Sequence, residues 1–297
     1  MPTPSEAAAM RRAIALSAFG LGRTSPNPPV GCVVLDAAGA VAGEGYHLRK
    51  GDAHAEVNAL AAAGDRARDG TAVVTLEPCN HTGRTPPCRQ ALLDAGVARV
   101  LIAVMDPTSR GDGGASVLRA AGVEVEIGVF EGEALTVLGT WLAATLAGRP
   151  VVAWAYELHG ATLRALPGEL LAAETLRLRA DAILFEDGRV TEAVPDSHGP
   201  GILRLRDVDP MEPAAALNVL YSGGVRSLLL SGGVGLGESF AAAGLVNRIV
   251  AHVSAAGPSS PGYAALPFPV LPPGFQVTAT RREAAAVRLE AEPDKIV

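Results

Sequence analysis

The pattern of apolar positions changes from helical to strand-like early in the chain. From Ser5 to Phe19 apolar residues recur at the spacing of one helix face. The next two runs, VGCVVLD and AVAGEGYHL, predict strands joined as a hairpin through Ala37-Ala38-Gly39. The following segment, HAEVNALAAAG, predicts a helix that ends at Gly64.

Strand-like and helix-like segments then alternate as far as residue 147. The predicted elements are, in order, strand Ala72–Leu76, helix Arg89–Ala95, strand Val100–Val104, helix Ala115–Ala121, strand Val123–Val129 and helix Glu131–Ala147. Alternation of this kind predicts an α/β fold in which helices cover a mostly parallel sheet.

A domain boundary is predicted at Arg149-Pro150, where the alanine-rich helix stops and a new strand, VVAWAYEL, begins. The length of 297 residues fits two domains, 1–148 and 149–297. The clearest later strands are DAILFEDG, SLLLSGG and RIVAHVSA. A stretch rich in Pro, Gly and Ser, from Gly257 to Gly274, predicts a surface loop.

Composition and charge narrow the classes of function. The formal net charge of −6 lacks the basic field that supplies most non-specific nucleic-acid affinity, so no nucleic-acid partner is predicted. Arg149 and Pro150 interrupt the longest apolar candidate for a membrane span, so no membrane partner is predicted. Three cysteines are too few and too uneven for a disulfide framework, and free thiols predict a cytoplasmic protein.

Candidate metal ligands lie in two short motifs of the first half. His54 begins the motif His54-Ala55-Glu56, and Cys79 follows Pro78, with Cys88 further along. One imidazole and two thiolates give Zn²⁺ three ligands and leave the fourth tetrahedral position for water, which is typical of a catalytic zinc site. Each motif follows a predicted strand and opens a predicted helix, where the helix dipole favours a thiolate.

Glu56 is the candidate catalytic residue. In zinc nucleobase deaminases the glutamate of a His-x-Glu motif carries a proton from water to the ring and the leaving amine. Each motif alone has a plainer explanation, because His-x-Glu occurs on surface helices and a lone Pro-Cys is often a buried cysteine. Their combination, in this order and in an α/β context, predicts a catalytic zinc site. Cys32, flanked by valines, is predicted to be an inert core residue.

The segments TSPNPPVGCVV, HAEVNAL and TLEPCNHTGRTPPC resemble the deaminase domain of the bifunctional deaminase/reductases of riboflavin biosynthesis, from about residue 8 to residue 148. Eight residues separate Cys79 from Cys88, as in that family, whereas most zinc nucleobase deaminases have two. The resemblance implies a cytidine-deaminase-like α/β/α sandwich. It also implies a small-molecule phosphorylated pyrimidine substrate, a diaminopyrimidinone with a phosphoribosylamino group, which loses ammonia.

By the same resemblance, five residues line the substrate pocket: Asn27, His47, His81, Arg84 and Thr85. Amide and imidazole groups can read ring edges, and Arg84 offers a charge-assisted donor to the ribose phosphate. The plainer alternatives are a hydrogen-bonded strand histidine for His47 and a solvated loop charge for Arg84. The chain departs from the family at Asp106-Pro107-Thr108-Ser109, where an asparagine expected to contact the substrate is missing.

The second half, from Arg149 to about Ala256, resembles the family's reductase domain, a dihydrofolate-reductase-like α/β fold that binds NADPH. The segments LRADAILFEDGRV and LLLSGGVGLGESFAAAGLVNRIVAHV carry the likeness. The family's lysine is absent from 151–160, and its Glu-Gly-Gly reads Ser231-Gly232-Gly233. Gly232 and Gly233 are candidate cofactor-binding residues, although paired glycines after a strand often form only a tight turn.

These observations predict a zinc-dependent deaminase joined to a divergent reductase-like domain that serves as a structural or oligomerising module. A homo-oligomer is expected, and the use of NADPH is left open. Three alternatives remain: the full bifunctional deaminase and NADPH-dependent reductase, a deaminase of a related pyrimidine or purine in a specialised pathway, and a non-catalytic zinc scaffold. The three-ligand set argues against the scaffold, because a structural zinc site would take a fourth protein ligand.

Overall fold

The computed structural model describes residues 1–80, 87–109, 111, 113–159, 162–173, 175–254, 271–283 and 286–294. The chain divides into two compact units, Met1–Leu146 and Ala147–Val297. The division falls between residues 146 and 147, where the sequence predicted 148 and 149. None of the helices in the described ranges is long and apolar enough to cross a membrane.

The first unit is a three-layered α/β structure. Its helices are α1 (Pro4–Ser17), α2 (Ala55–Ala63), α3 (Cys88–Asp94), α4 (Gly113–Ala120) and α5 (Glu131–Ala147). Its strands are β1 (Gly31–Leu35), β2 (Val41–Tyr46), β3 (Thr71–Leu76), β4 (Arg99–Val104) and β5 (Glu124–Ile127). Short 3₁₀ helices follow α1 and α2.

The five strands form one sheet in the order β2-β1-β3-β4-β5. β3, β4 and β5 are parallel, whereas β1 is antiparallel to both β2 and β3. The sequence predicted a mostly parallel sheet, but the sheet is mixed. The N-terminal hairpin lies at one edge, and its strand β1 is antiparallel to β3.

Glycines allow helices to lie close to opposite faces of this sheet. A Cβ at Gly31 would lie 2.0 Å from the carbonyl oxygen of Ala13 in α1. A Cβ at Gly45 would lie 2.5 Å from both Ala55 O and Ala59 N in α2. Gly45 pairs with Cys32, the neighbour of Gly31. Because side chains alternate along a strand, α1 and α2 cover opposite faces.

α5 completes the layer that contains α1. Its Trp141 is buried in the core of the first unit, and the indole Nε1 donates to Pro26 O at 3.1 Å. Arg11 of α1 donates to Glu133 of α5 and lies 4.4 Å from the Phe130 ring centroid. On the other face α2 contacts α3, and α3 contacts α4. The N-termini of α2 and α3 therefore belong to the same layer.

The second unit is built on an eight-stranded sheet. Its strands are β6 (Val151–His159), β7 (Thr162–Ala165), β8 (Ala182–Phe185), β9 (Val190–Glu192), β10 (Ser227–Ser231), β11 (Arg248–Ser254), β12 (Phe275–Glu283) and β13 (Ala286–Pro293). Its helices are α6 (Gly168–Ala173), α7 (Thr175–Arg179), α8 (Pro213–Ser222) and α9 (Val234–Ala242). The main strand order is β12-β13-β11-β6-β10-β8-β9, and β7 pairs with β6.

Strands β11, β6, β10 and β8 are parallel, and antiparallel strands flank them. The amino ends of β8 and β10 are tied by Asp181, whose carboxylate accepts from the Arg226 and Ser227 amides at 2.7 and 2.9 Å and contacts His198 Nε2 at 3.2 Å. On one face, α9 lies so close to β6 that a Cβ at Gly237 would lie 1.8 Å from the buried ring of Trp154.

The β12–β13 hairpin was not predicted. Nearly every residue of β12 is exposed, so the strand lacks the alternation of apolar and polar positions that marks a half-buried strand. Of the surface loop predicted over 257–274, residues 257–270 lie outside the described residues.

Candidate active site

The proposed zinc ligands come from three points in the first unit. His54 immediately precedes α2, Cys79 follows β3, and Cys88 is the first residue of α3. The Pro78-Cys79 segment was predicted to open a helix, but these two residues are not helical. α3 begins only at Cys88, directly after Pro87, because a proline lacks the N–H that a helix interior needs.

The three side chains converge on one point. His54 Nδ1 lies 3.1 Å from Cys88 Sγ and 3.7 Å from Cys79 Sγ, and the three ligand atoms are all within 4.8 Å of one another. Ligands of a tetrahedral zinc ion lie about 3.5 Å apart, given Zn–N and Zn–S bonds of about 2.0 and 2.3 Å. The arrangement therefore fits Zn²⁺ with three protein ligands.

Hydrogen bonds make one thiol of this cluster strongly acidic. The Cys88 side chain, followed by His54 and the Cys88 amide at 3.2 Å, stabilises the Cys79 thiolate and lowers its pKa to about 4. The adjacent thiolate and burial raise the pKa of Cys88. The hydrogen bond to Cys79 raises the pKa of His54. A cation placed between the sulfur atoms would favour the deprotonated form of both thiols.

Glu56 lies in the first turn of α2, two residues after His54, and is 3% exposed. Burial raises the pKa of its carboxyl, although His54 and a hydrogen bond with Cys88 act in the opposite direction. Burial therefore favours the protonated form of this carboxyl, and such a group can act as a general acid as well as a general base. It lies beside the ligand set, where such a group would serve water at the fourth position.

Two of the predicted pocket residues lie together next to this cluster. The buried His47 ring packs edge-on against His54, with centroids 5.2 Å apart. Its Nδ1 contacts Ala53 O at 3.2 Å, and its Nε2 lies 3.3 Å from Asn27 Nδ2. A neutral imidazole satisfies both contacts, donating from Nδ1 and accepting at Nε2. Burial lowers the pKa of His47, which favours this neutral form.

The other predicted pocket residues, His81, Arg84 and Thr85, lie outside the described residues. The divergent segment 106–109 is held by its own turn, in which Asp106 Oδ1 accepts from the Thr108 amide at 2.8 Å and from the Thr108 hydroxyl at 2.7 Å. Shortly after it, a Cβ at Gly114 would lie 1.9 Å from Pro78 O. The chain that follows this turn therefore packs against the residue preceding Cys79.

Sequence reasoning missed two positioning residues. Asn58 Nδ2 donates to Tyr46 O at 3.0 Å and to Ala53 O at 3.4 Å, which holds the loop leading to His54. The buried Glu77 carboxylate accepts from the Ala115 amide at 3.0 Å and so links the start of α4 to the chain before Cys79. The only signal in the sequence is their proximity to the two motifs. In the second unit, Gly232 and Gly233 lie between β10 and α9.

A model of the cytidine and deoxycytidylate deaminase zinc-binding region matches residues 4–104. With the α/β/α sandwich and the His/Cys/Cys cluster beside a buried glutamate, this match defines the class: the chain is a zinc-dependent deaminase. The predicted enzyme class and zinc cofactor are confirmed.

Similarity to individual proteins extends beyond this region. The chain is 47% identical over 125 residues to the diaminohydroxyphosphoribosylamino-pyrimidine deaminase of Buchnera aphidicola (Schizaphis graminum), covering 42% of this chain and 84% of that protein. It is 36% identical to the riboflavin biosynthesis protein RibD of Mycobacterium tuberculosis, covering 78% and 80%. The solved structure of Acinetobacter baumannii RibD matches with a TM-score of 0.75 at 27% identity, covering 97% of this chain and 99% of that chain.

The chain belongs to the RibD family of riboflavin biosynthesis proteins. The predicted fold class, a cytidine-deaminase-like domain followed by a reductase-like α/β domain, is also confirmed, because the match to Acinetobacter baumannii RibD covers both units.

Proposed function

We propose that the first unit hydrolyses an exocyclic amino group from a phosphoribosylamino-diaminopyrimidinone in riboflavin biosynthesis and releases ammonia. The observation that carries the proposal is the buried Glu56, whose pKa is raised, beside the converging atoms of His54, Cys79 and Cys88. The name of the Buchnera aphidicola relative supports this substrate.

Different residues would bind the metal, transfer protons and orient the substrate. Zinc held by His54, Cys79 and Cys88 would activate water at neutral pH. Glu56 would take one proton from the attacking water and give it to the ring nitrogen. It would then take the second proton from the new hydroxyl group and give it to the amine, which leaves as ammonia as the carbonyl forms. Burial suits Glu56 to this role because a raised pKa makes its carboxylate a stronger base toward water. Asn27 would orient the pyrimidine ring, and the neutral His47 would hold the Asn27 amide in place.

Glu56→Gln tests the role of this carboxyl. The amide keeps the shape of the side chain but does not relay a proton, so deamination should fall by about 10²-fold or more. Zinc content and thermal stability should be unchanged, and KM should move little. Glu131→Gln, which removes an exposed carboxylate at the start of α5, is the matched control. Wild-type kcat in Glu56→Gln would instead favour a zinc scaffold with another proton carrier.

Reductase activity of the second unit is a second candidate. The similarity to the Mycobacterium tuberculosis protein extends over 78% of this chain, well beyond the deaminase unit. Incubation of the full chain with the deaminated product and NADPH, followed by mass analysis, distinguishes the two cases. A ribityl product would establish the bifunctional enzyme. Cytoplasmic location, homo-oligomeric assembly and the absence of a nucleic-acid partner stay predictions from the sequence.

A further inference from the structure

Two parallel strands of the second unit end side by side where a helix begins. β8 and β10 are adjacent, and Phe185 pairs with Ser231 at their carboxyl ends. The chain continues with Glu186 after β8 and with Gly232 and Gly233 after β10. In open α/β sheets, ligands bind outside the carboxyl ends of the strands, and the N-terminus of a following helix attracts phosphate groups.

A carboxylate of the chain itself lies at this place. The Gly233 amide, immediately before α9, donates to Glu186 Oε1 at 2.9 Å. Both glycines lie against this side chain. A Cβ at Gly232 would lie 2.7 Å from Leu236 Cδ2 and 2.9 Å from Glu186 Cγ, and one at Gly233 would lie 3.0 Å from Glu186 Oε1. Packing against Glu186 and Leu236 therefore favours glycine at both positions without a bound nucleotide.

The charges of the same turn also disfavour an incoming anion. Asp187 follows Glu186 directly and is exposed. The cation of this turn, Arg189, lies 4.0 Å from the Phe185 ring centroid and pairs with Asp187 at 3.6 Å. A phosphate group at the start of α9 would therefore meet the Glu186 carboxylate, while the positive charge beside it is already paired.

We propose that Glu186 is an internal anion that occupies the N-terminus of α9, so that this edge of the second sheet excludes pyrophosphate-containing cofactors. NADPH, which the resemblance to a reductase domain implies, does not fit the residues at this edge. The inference therefore argues against the second candidate function, NADPH-dependent reduction, and its failure would favour that function. The inference concerns the second unit and holds whether or not the first unit has the proposed deaminase function.

Binding to the full-length protein tests this inference, with NADPH and inorganic pyrophosphate as separate probes in calorimetric titrations at fixed ionic strength. The wild-type chain should show no saturable binding of either probe at submillimolar concentration. Glu186→Ser removes the charge and opens the space, and should bind pyrophosphate about tenfold tighter or better, the effect expected for loss of one like charge at contact distance. Glu186→Gln, which keeps the shape but not the charge, should lie between them.

Asp187→Asn is the matched control, because it removes the same charge from the next residue without touching the Gly233 amide. It should gain clearly less than Glu186→Ser, because it releases Arg189 from its ion pair but leaves the Glu186 carboxylate on the Gly233 amide. Thermal unfolding should show that all variants fold, since Glu186 and Asp187 are exposed. Saturable NADPH binding by the wild-type chain would overturn the proposal. So would the lack of any gain in Glu186→Ser, or an equal gain in Asp187→Asn, which would indicate a general charge effect.

Discussion

At the scale of single residues, the three cysteine thiols differ in pKa and in their placement for metal binding, because their surroundings differ. Cys32 is fully buried in β1, and burial, with a smaller effect of Glu56, raises its pKa well above the ordinary value. Cys79 and Cys88 instead share hydrogen bonds with His54, and the pKa of Cys79 falls to about 4. Only the latter pair is arranged to bind a metal.

Replacing the cysteines one at a time should separate these roles. Loss of a residue that hydrogen-bonds to a metal ligand lowers metal affinity by roughly 10–100-fold. Cys79→Ser and Cys88→Ser each remove a direct ligand, so each should lower zinc affinity by more than that. Cys32→Ala should retain the metal. Zinc content after dialysis against a graded series of chelators measures the effect. Full occupancy in Cys88→Ser would show that the ligand set is wrongly assigned.

Candidate site residues that share a local motif could be picked out from the sequence, and residues whose contacts depend on distant strands could not. His54, Glu56, Cys79 and Cys88 stand out in the sequence because their residue types and order indicate one chemistry. Glu186 gave no such signal, since its contact with Gly233 exists only when β8 and β10 are adjacent in the folded sheet.

At the scale of elements, the position of α2 depends on the surface of β2 beneath it. Gly45 faces Ala55 and Ala59 at a separation that leaves no room for a methyl group. α2 carries Glu56 in its first turn and follows directly from His54. Any shift of this helix therefore moves one proposed ligand and the proposed proton carrier relative to Cys79 and Cys88.

Gly45→Ala should lower stability and weaken zinc binding together. Overpacking of this kind costs about 1–3 kcal/mol, since a backbone carbonyl and amide must move. Gly132→Ala is the control, because a Cβ there meets nothing within 4 Å in the exposed first turn of α5, and it should stabilise by about 0.5–1 kcal/mol. Thermal unfolding and zinc titration of both variants measure the effects. Unchanged zinc affinity in a destabilised Gly45→Ala would show that α2 adjusts without moving the ligands.

Helices and strands could be predicted from the sequence where their buried apolar residues form a recognisable pattern. α5 has the predicted bounds, Glu131–Ala147, because its apolar residues recur at helical spacing and Arg149-Pro150 follows. The strands of the first sheet were predicted to within a few residues, and β1, β3 and β4 stand out as short apolar runs that are buried almost throughout. β12 was missed because its exposed residues carry no pattern, and its place is set by pairing with β13.

At the scale of the whole molecule, the two units differ in how far along the chain their strand partners lie. In the first unit, Cys32 pairs with Gly45 and Val74, so its hairpin closes over a short loop. In the second unit β6 lies at the centre, and Val151 pairs with Ser227 while Ala153 pairs with Arg248. During folding, β6 can therefore pair with its parallel neighbours, β10 and β11, only after distant parts of the second unit have come together.

This central position of β6 has a consequence for folding kinetics. Pairing of distant segments is slow, so the second unit should gain its core about tenfold later than the first or more. The chain carries two tryptophans, and each is buried in a different unit, Trp141 in the first and Trp154 in the second. In stopped-flow refolding, the tryptophan fluorescence of Trp154→Phe reports the first unit and that of Trp141→Phe reports the second. A common rate for both signals would contradict separate folding; a delay confined to Trp154 would identify the second unit as the half exposed to aggregation during refolding.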